Sequence, residues 1–194
     1  MNFDSAFFLF CFFPITFVLY SLVPGQKFKN GVLLIAGLVF YSFGRLFDLA
    51  LLLCMAAFNY VVGLLLRRER GRRVFLSVGV AANVVVLLLF KSLERLTVTI
   101  TGSDPILYIL FAQHPPVTLS IPLGISFFTF KCISYLVDVY RDRDSGTRNP
   151  IKFFTYISFF PQIISGPIAR YRDFGPQLDE REISIDGAAA GLVI

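Results

Sequence analysis

The sequence has no tryptophan, one histidine and three cysteines, and only 16% of its 194 residues are charged. A soluble domain usually has about 25% charged residues. A disordered chain would carry more charge, and a disulfide-rich scaffold would carry more cysteine. Cys11, Cys54 and Cys132 form no Cys-x-x-Cys motif and lie in apolar runs, which predicts buried thiols. Neither a metal-ligand spacing nor a nucleotide-binding loop is present, so no metal site and no bound cofactor are predicted.

What the sequence has in abundance is apolar residues in long blocks. Hydrophobic residues make up 56% of the chain, and its mean hydropathy is +0.71. A helix that spans the bilayer needs about 17–25 apolar residues. The blocks therefore predict an all-α, polytopic transmembrane helical bundle with five to six membrane segments, one of them re-entrant or broken. The predicted segments are 6–23, 30–44, 49–66, 74–90, 117–140 and the irregular run 153–169.

The positive charges lie between these blocks and are distributed unevenly. With the N-terminus outside, the cytoplasmic loops hold eleven Lys and Arg residues and the outer loops hold three. The positive-inside rule then predicts that the N-terminus is outside and that 92–116 is a long outer loop. The same rule accounts for the net charge of +5 without a nucleic-acid partner.

Polar residues inside a predicted span need either a partner or a function. Lys131 and Asp138 are seven positions apart and so share one helix face, with Ser134 between them. Two interpretations stay open: a packed face on which Asp138 pairs with Arg141 or Arg143, or the polar wall of a tunnel. Two amides in neighbouring spans, at positions 59 and 83, are predicted to hydrogen-bond between helices.

The run 153–169 combines membrane-like composition with residues that interrupt helices. Pro161, Gly166 and Pro167 break a straight helix, and Gln162 adds an amide. Irregular backbone at membrane depth is tolerated where it is buried in protein or lines a cavity. Either a kinked span or a re-entrant element would fit. Re-entry would keep the two arginines that follow on the cytoplasmic side and raise the charge bias to thirteen against three.

Two runs carry a resemblance to a known family: IPLGISFFTFKCISYLVDVYR at 121–141 and SFFPQIISGPIAR at 158–170. They resemble the membrane-bound O-acyltransferase superfamily, and most of all its bacterial alginate O-acetyltransferase branch. The opening helices are similar to that branch as well, so the resemblance covers essentially the whole chain. It implies that residues 1–194 are the N-terminal part of a longer acyltransferase domain, truncated at the C-terminus. Relatives commonly have Gln or Glu at the position of Lys131.

The resemblance implies transfer of acetyl groups toward an exported, alginate-like polysaccharide at the bacterial inner membrane. The catalytic histidine of the family lies in a downstream part, so His114 receives no role, no catalytic residue is expected here, and this chain alone is expected to be inactive. An acetyl donor of unspecified identity is implied. The implied partners are the lipid bilayer, the missing C-terminal half, a periplasmic acetyltransferase and, indirectly, the polysaccharide.

Two other function classes stay open from the residues alone: a small membrane transporter or channel subunit, and a membrane scaffold without catalytic activity. In each case polar residues would line a pathway or hold a partner. The residues predicted to line a cavity or tunnel are Lys131, Ser134, Asp138, Gln162, Gly166 and Pro167.

Overall fold

The computed structural model describes residues 6–103, 122–162 and 169–180, with side chains throughout except at 93–103. Every regular element in these ranges is helical, so the predicted all-α class is confirmed. A single π-helical turn, Phe8–Phe12, precedes the first α-helix. The helices are α1 Phe13–Leu22, α2 Gln26–Ser42, α3 Leu46–Leu66, α4 Arg72–Ser103, α5 Ile125–Arg141, α6 Pro150–Ser158 and α7 Tyr171–Phe174.

The first four predicted segments each coincide with a helix, but α4 is longer than predicted. It continues to Ser103, whereas the sequence predicted a loop from position 92. The reason is local, because 91–101 contains neither proline nor glycine and includes strong helix formers. The rest of the predicted loop, with His114, lies outside the described residues.

Two of the described helical stretches are long and apolar enough to cross a membrane. They are Leu46–Leu66, with a mean hydropathy of 2.4, and Arg72–Ser92, with 2.3; Phe8–Leu22 is a shorter apolar helix. The predicted count of five to six membrane segments is therefore not confirmed and stays a prediction.

The bundle places apolar side chains outside and polar side chains inside. Phe10 and Leu46 are 79% and 73% exposed, whereas Asn59 and Lys131 are 0% and 2% exposed. In water this distribution would be unfavourable, since large exposed apolar patches are rare on soluble proteins. In lipid it is favourable, because polar groups then face the bundle interior. Together with the apolar helices, the distribution identifies a membrane protein.

The three cysteines do not share one environment. All are free thiols; Cys132 is buried, Cys11 is partly exposed and Cys54 is exposed. The prediction of buried thiols is thus wrong for Cys54. An apolar run in a membrane helix supplies lipid-facing residues as well as core residues, and sequence position alone does not separate the two.

The predicted bond between amides in neighbouring spans is confirmed. Asn59 Nδ2 donates to Asn83 Oδ1 at 3.1 Å, and Asn83 Nδ2 donates to Asn59 Oδ1 at 2.7 Å. Each amide also donates to the carbonyl four residues earlier, of Met55 and of Gly79 respectively. Reciprocal pairing satisfies both buried amides at once, which joins α3 to α4.

The loops rich in positive charge meet at one end of the bundle, which we call the basic end. Arg72 connects three helix ends there: Nε donates to the Leu66 carbonyl at 2.9 Å, and Nη2 donates to the carbonyls of Val139 and Tyr140 at 3.2 and 2.6 Å. Its guanidinium also lies 5.2 Å from the centroid of the Tyr140 ring. The ends of α3 and α5 and the start of α4 are therefore neighbours.

The start of α2 lies at the basic end too, because Asn30 Nδ2 donates to the Leu178 carbonyl at 2.9 Å. At the opposite end, Phe8 packs against Phe40 near the end of α2, with ring centroids 5.8 Å apart. Also there, the Leu123 amide donates to Asp48 Oδ2 at 3.4 Å. Helices α1 to α5 thus run between the two ends.

Candidate functional site

A cavity of about 580 Å³ opens at the basic end. It lies between the end of α5, the loop that follows α5, the start of α6 and the segment 171–180. Acidic and basic side chains both line the cavity, so a bound molecule could contact hydrogen-bond acceptors and cations at the same time. The lining residues with ionisable side chains are Asp138, Arg141, Asp142, Asp144, Lys152, Tyr171, Arg172, Asp179 and Glu180.

Asp138 is the most buried carboxylate in this wall, and it is only 7% exposed. Its Oδ2 is buried and has no hydrogen-bond partner among the described residues. The packed-face interpretation expected an ion pair with Arg141 or Arg143. Arg143 instead lies 3.7 Å from Glu69, and no ion pair of Asp138 is formed within the described ranges. The carboxylate therefore belongs to the cavity wall.

Aromatic side chains pack beneath the cavity and hold its rim. The Thr147 amide donates to Tyr135 Oη at 3.3 Å, which fixes the loop after α5. The Tyr171 ring lies 5.3 Å from both the Tyr135 and the Tyr156 ring centroids. Burial raises the pKa of the Tyr171 phenol above its ordinary value, so this group stays protonated at neutral pH.

The chain from 150 to 180 leaves the basic end and comes back to it. We call 150–162 the outgoing arm and 169–180 the returning arm. Asn149 caps the outgoing arm by accepting from the Ile151 amide at 2.9 Å, and Pro150 occupies the first helical turn. Lys152 of the outgoing arm forms an ion pair with Asp179 of the returning arm. Both arms therefore begin or end at the same side of the bundle.

The outgoing arm is too short to cross the bundle. The nine residues of α6 rise about 13 Å, less than half of the roughly 30 Å of a bilayer core. The arm runs parallel to α2. Thr155 Oγ1 donates to the Asn30 carbonyl at 3.3 Å, and further in the Phe160 and Phe40 ring centroids lie 6.0 Å apart.

Lys131 contacts the outgoing arm and does not line the cavity. Its Nζ donates to the Tyr156 carbonyl at 3.0 Å and lies 4.9 Å from the centroid of the Tyr156 ring. No carboxylate lies within 4 Å of this ammonium in the part of the chain that the structure describes. Lys131 and Asp138 share a helix face but have different surroundings, because Lys131 contacts the outgoing arm and Asp138 lines the cavity.

The other predicted site residues are divided between the described and undescribed parts of the chain. Ser134 is half-buried on α5 and is not a cavity-lining residue. Gln162 is half-buried at the inner end of the outgoing arm, and its buried Oε1 has no hydrogen-bond partner among the described residues. Gly166 and Pro167 lie outside the described residues. Among the four predicted site residues that the structure describes, only Asp138 lines the cavity.

Sequence reasoning missed two residues that shape this region. Tyr156 Oη donates to the Ala169 carbonyl at 2.9 Å, so this tyrosine joins the two arms. Gly37 of α2 lies so close to the end of α6 that a Cβ there would be 2.3 Å from the Ser158 carbonyl oxygen. A glycine within an apolar helix was the available signal for a close approach of two backbones. Nothing in the sequence pointed to Tyr156.

Known proteins similar to this chain are named as alginate O-acetylases or as a peptidoglycan O-acetyltransferase. The probable alginate O-acetylase AlgI of Pseudomonas aeruginosa is 37% identical over 201 aligned positions, which cover 98% of this chain and 37% of that protein. That of Azotobacter vinelandii is 36% identical, with coverage of 98% and 38%. The peptidoglycan O-acetyltransferase of Helicobacter pylori is 29% identical, with coverage of 99% and 42%.

No protein-family model and no solved structure matches the chain. The chain spans less than half of the length of the curated relatives that it matches.

Proposed function

The chain belongs to the membrane-bound O-acyltransferase superfamily, and from that membership we propose that it is part of an enzyme that transfers acetyl groups toward an exported polysaccharide. The observation that carries the proposal is the identity of 35–37% with alginate O-acetylases across 98% of the chain. It favours acetyl transfer over a transporter subunit or a scaffold. The polymer that finally carries the acetyl groups is alginate or a related polymer, and the chain forms the N-terminal part of the enzyme's membrane domain.

The proposed enzyme lies in the bacterial inner membrane with its basic end in the cytoplasm and its N-terminus outside. Helices α1 to α5 make five passes, and the two arms form a re-entrant element. The charges support this arrangement, because thirteen Lys and Arg residues then lie on the cytoplasmic side and three lie outside. The ion pair between Lys152 and Asp179 supports re-entry, since an ordinary span would separate these residues.

In this arrangement the cavity faces the compartment from which an acetyl donor would come. Its cationic side chains would contact anionic groups of that donor, and Asp138 would accept a hydrogen bond at its base. The general base would come from the part of the enzyme that these residues do not include. The acceptor of the acetyl group would be a periplasmic partner enzyme or the polysaccharide itself.

The topology can be tested by labelling single cysteines with a membrane-impermeant maleimide, after replacement of the three native cysteines. Arg70→Cys and Arg172→Cys should react only after the cells are permeabilised, because both residues are placed on the cytoplasmic side. Ser42→Cys, at the opposite end of α2, should react in intact cells and serves as the matched control. Labelling of Arg172→Cys in intact cells would show that the outgoing arm continues into a full span.

The activity can be tested in an alginate-producing Pseudomonas strain that lacks its own alginate O-acetylase. The longest open reading frame that contains these 194 codons should restore ester-linked acetate on the exported alginate. The 194 codons alone should restore none, because the family's catalytic histidine is expected downstream. Acetate is measured after mild alkaline release, on alginate and on peptidoglycan. If the long frame restores acetate on neither polymer, the proposed activity is wrong; if the short frame restores it, the position of the histidine is wrong.

A further inference from the structure

Helix α6 ends in the interior of the bundle, and this end needs partners. The last four carbonyls of a helix have no partner within the helix. Without water at membrane depth, an unsatisfied carbonyl is strongly unfavourable. After Ser158 the backbone becomes extended at Phe159, with φ −62° and ψ 99°, and Pro161 follows. The chain therefore turns at a depth where other residues must accommodate the helix end.

Two residues from other helices provide this accommodation. Lys131 on α5 donates to the Tyr156 carbonyl in the last turn of α6. A cation at this place also interacts favourably with the negative end of the helix dipole. Gly37 on α2 leaves the space that the Ser158 carbonyl occupies. Lys131 therefore provides the hydrogen bond and the positive charge, and Gly37 provides the space for the end of α6.

Tyr156 transmits the contact with Lys131 to the returning arm. Its carbonyl and ring contact the Lys131 ammonium, while its hydroxyl donates to the Ala169 carbonyl. The same ring packs against Tyr171 and Phe174 of α7, with centroid distances of 5.3 and 5.6 Å. Movement of the inner end of α6 would therefore also move the returning arm.

We propose that Lys131 is a positioning residue that caps the inner end of α6 through Tyr156 and so sets the depth at which the chain turns back. Burying a lysine that has no carboxylate partner is unfavourable unless other groups interact with its ammonium. Here the carbonyl and the dipole at the end of α6 provide that interaction. The inference rests on the proposed acetyl transfer only for its consequence on activity. Its structural content can be measured separately.

The test uses the purified product of the long reading frame, with Lys131→Met compared with Lys131→Gln. Methionine keeps an unbranched side chain of similar length without a donor, whereas glutamine keeps an N–H donor. Amide hydrogen exchange is followed in peptides from α6, with peptides from α3 as an internal reference. We expect exchange in α6 to rise at least tenfold in Lys131→Met and less than threefold in Lys131→Gln, with no change in α3.

Acetyl transfer per folded molecule is measured on the same variants. It should fall at least tenfold in Lys131→Met and stay within threefold of the parent in Lys131→Gln, because the donor is what positions the arm. Lys27→Met removes an exposed lysine at the basic end and should change neither quantity. If Lys131→Met does not fold, Lys131→Leu takes its place, and its amide exchange in α6 is compared with that of Lys131→Gln.

Two results would overturn the inference. One is unchanged α6 exchange in Lys131→Met; the other is raised exchange with normal transfer per folded molecule. Raised exchange together with no transfer by the parent protein would retain the cap and reject the proposed acetyl transfer. The failure of one proposal is thus distinguishable from the failure of the other.

Discussion

Replacing Arg72 by glutamine should lower the stability of the protein by about 3 kcal/mol, because one guanidinium satisfies three carbonyls at two helix ends. A hydrogen bond from a charged donor contributes roughly 1.5–3 kcal/mol, and bonds that share one donor group do not add fully. The variant would leave the carbonyls of Leu66, Val139 and Tyr140 without their donor. It would also remove the cation from the Tyr140 ring.

The matched control is Arg73→Gln, which removes the same charge from the next residue. Arg73 is exposed, so its loss should cost less than about 0.5 kcal/mol. Arg72→Lys should recover less than half of the loss, since an ammonium lacks the planar fork of donors. Unfolding in mixed detergent micelles measures all three. Equal losses for Arg72→Gln and Arg73→Gln would mean that charge alone matters here.

Replacing Gly37 by alanine should cost about 2–3 kcal/mol, because the new methyl group meets a backbone atom. The added Cβ would lie 2.3 Å from the Ser158 carbonyl oxygen and 2.9 Å from its Oγ. Real Cβ atoms do not approach that closely, so α2 and α6 would have to separate. Overpacking of a close interface typically costs 1–3 kcal/mol. Because the displaced group belongs to the inner end of α6, α6 amide exchange should also rise.

Gly31 provides the control within the same helix. A Cβ at this position would meet no heavy atom within 4 Å. Alanine has the higher helix propensity, so Gly31→Ala should leave stability unchanged or raise it by up to about 1 kcal/mol. Thermal unfolding of the purified protein in detergent compares the two. A similar loss in both variants would show that glycine flexibility in α2, and not the contact with Ser158, is what matters.

Helices α1 to α4, and the fact that the basic loops lie at one end of the bundle, could be predicted because lipid imposes simple rules on a sequence. Uncharged runs of about 17 residues indicated α1 to α4, and the clustering of Lys and Arg indicated which loops share a side. The pairing of Asn59 with Asn83 could be predicted for a related reason. A single amide in each of two neighbouring spans has few other partners in an apolar interior.

The site was less predictable, because distance along one helix does not determine what a side chain meets. Lys131 and Asp138 share a face of α5, yet the first contacts α6 and the second faces the cavity. Arg143 was an expected partner of Asp138 and instead lies near Glu69, on the loop between α3 and α4. These outcomes depend on which neighbouring helices are present at each depth.

Composition and charge pattern were sufficient to predict an all-helical membrane protein with its positive charges in a few loops, and two sequence runs were sufficient to indicate a resemblance to the O-acyltransferase superfamily. The composition and length of the apolar runs are enough for this prediction, because a run of apolar residues at membrane depth forms a helix that contacts either lipid or another helix. The return of the chain to the basic end, by contrast, is visible only in contacts between residues that are distant in the sequence. The inner end of α6 is contacted by Lys131 of α5 and closely approached by Gly37 of α2, and Tyr156 joins this end to the returning arm. A carbonyl that is shielded from water needs a hydrogen-bond donor from a neighbouring residue, and the sequence does not reveal which residue of another helix will lie next to it.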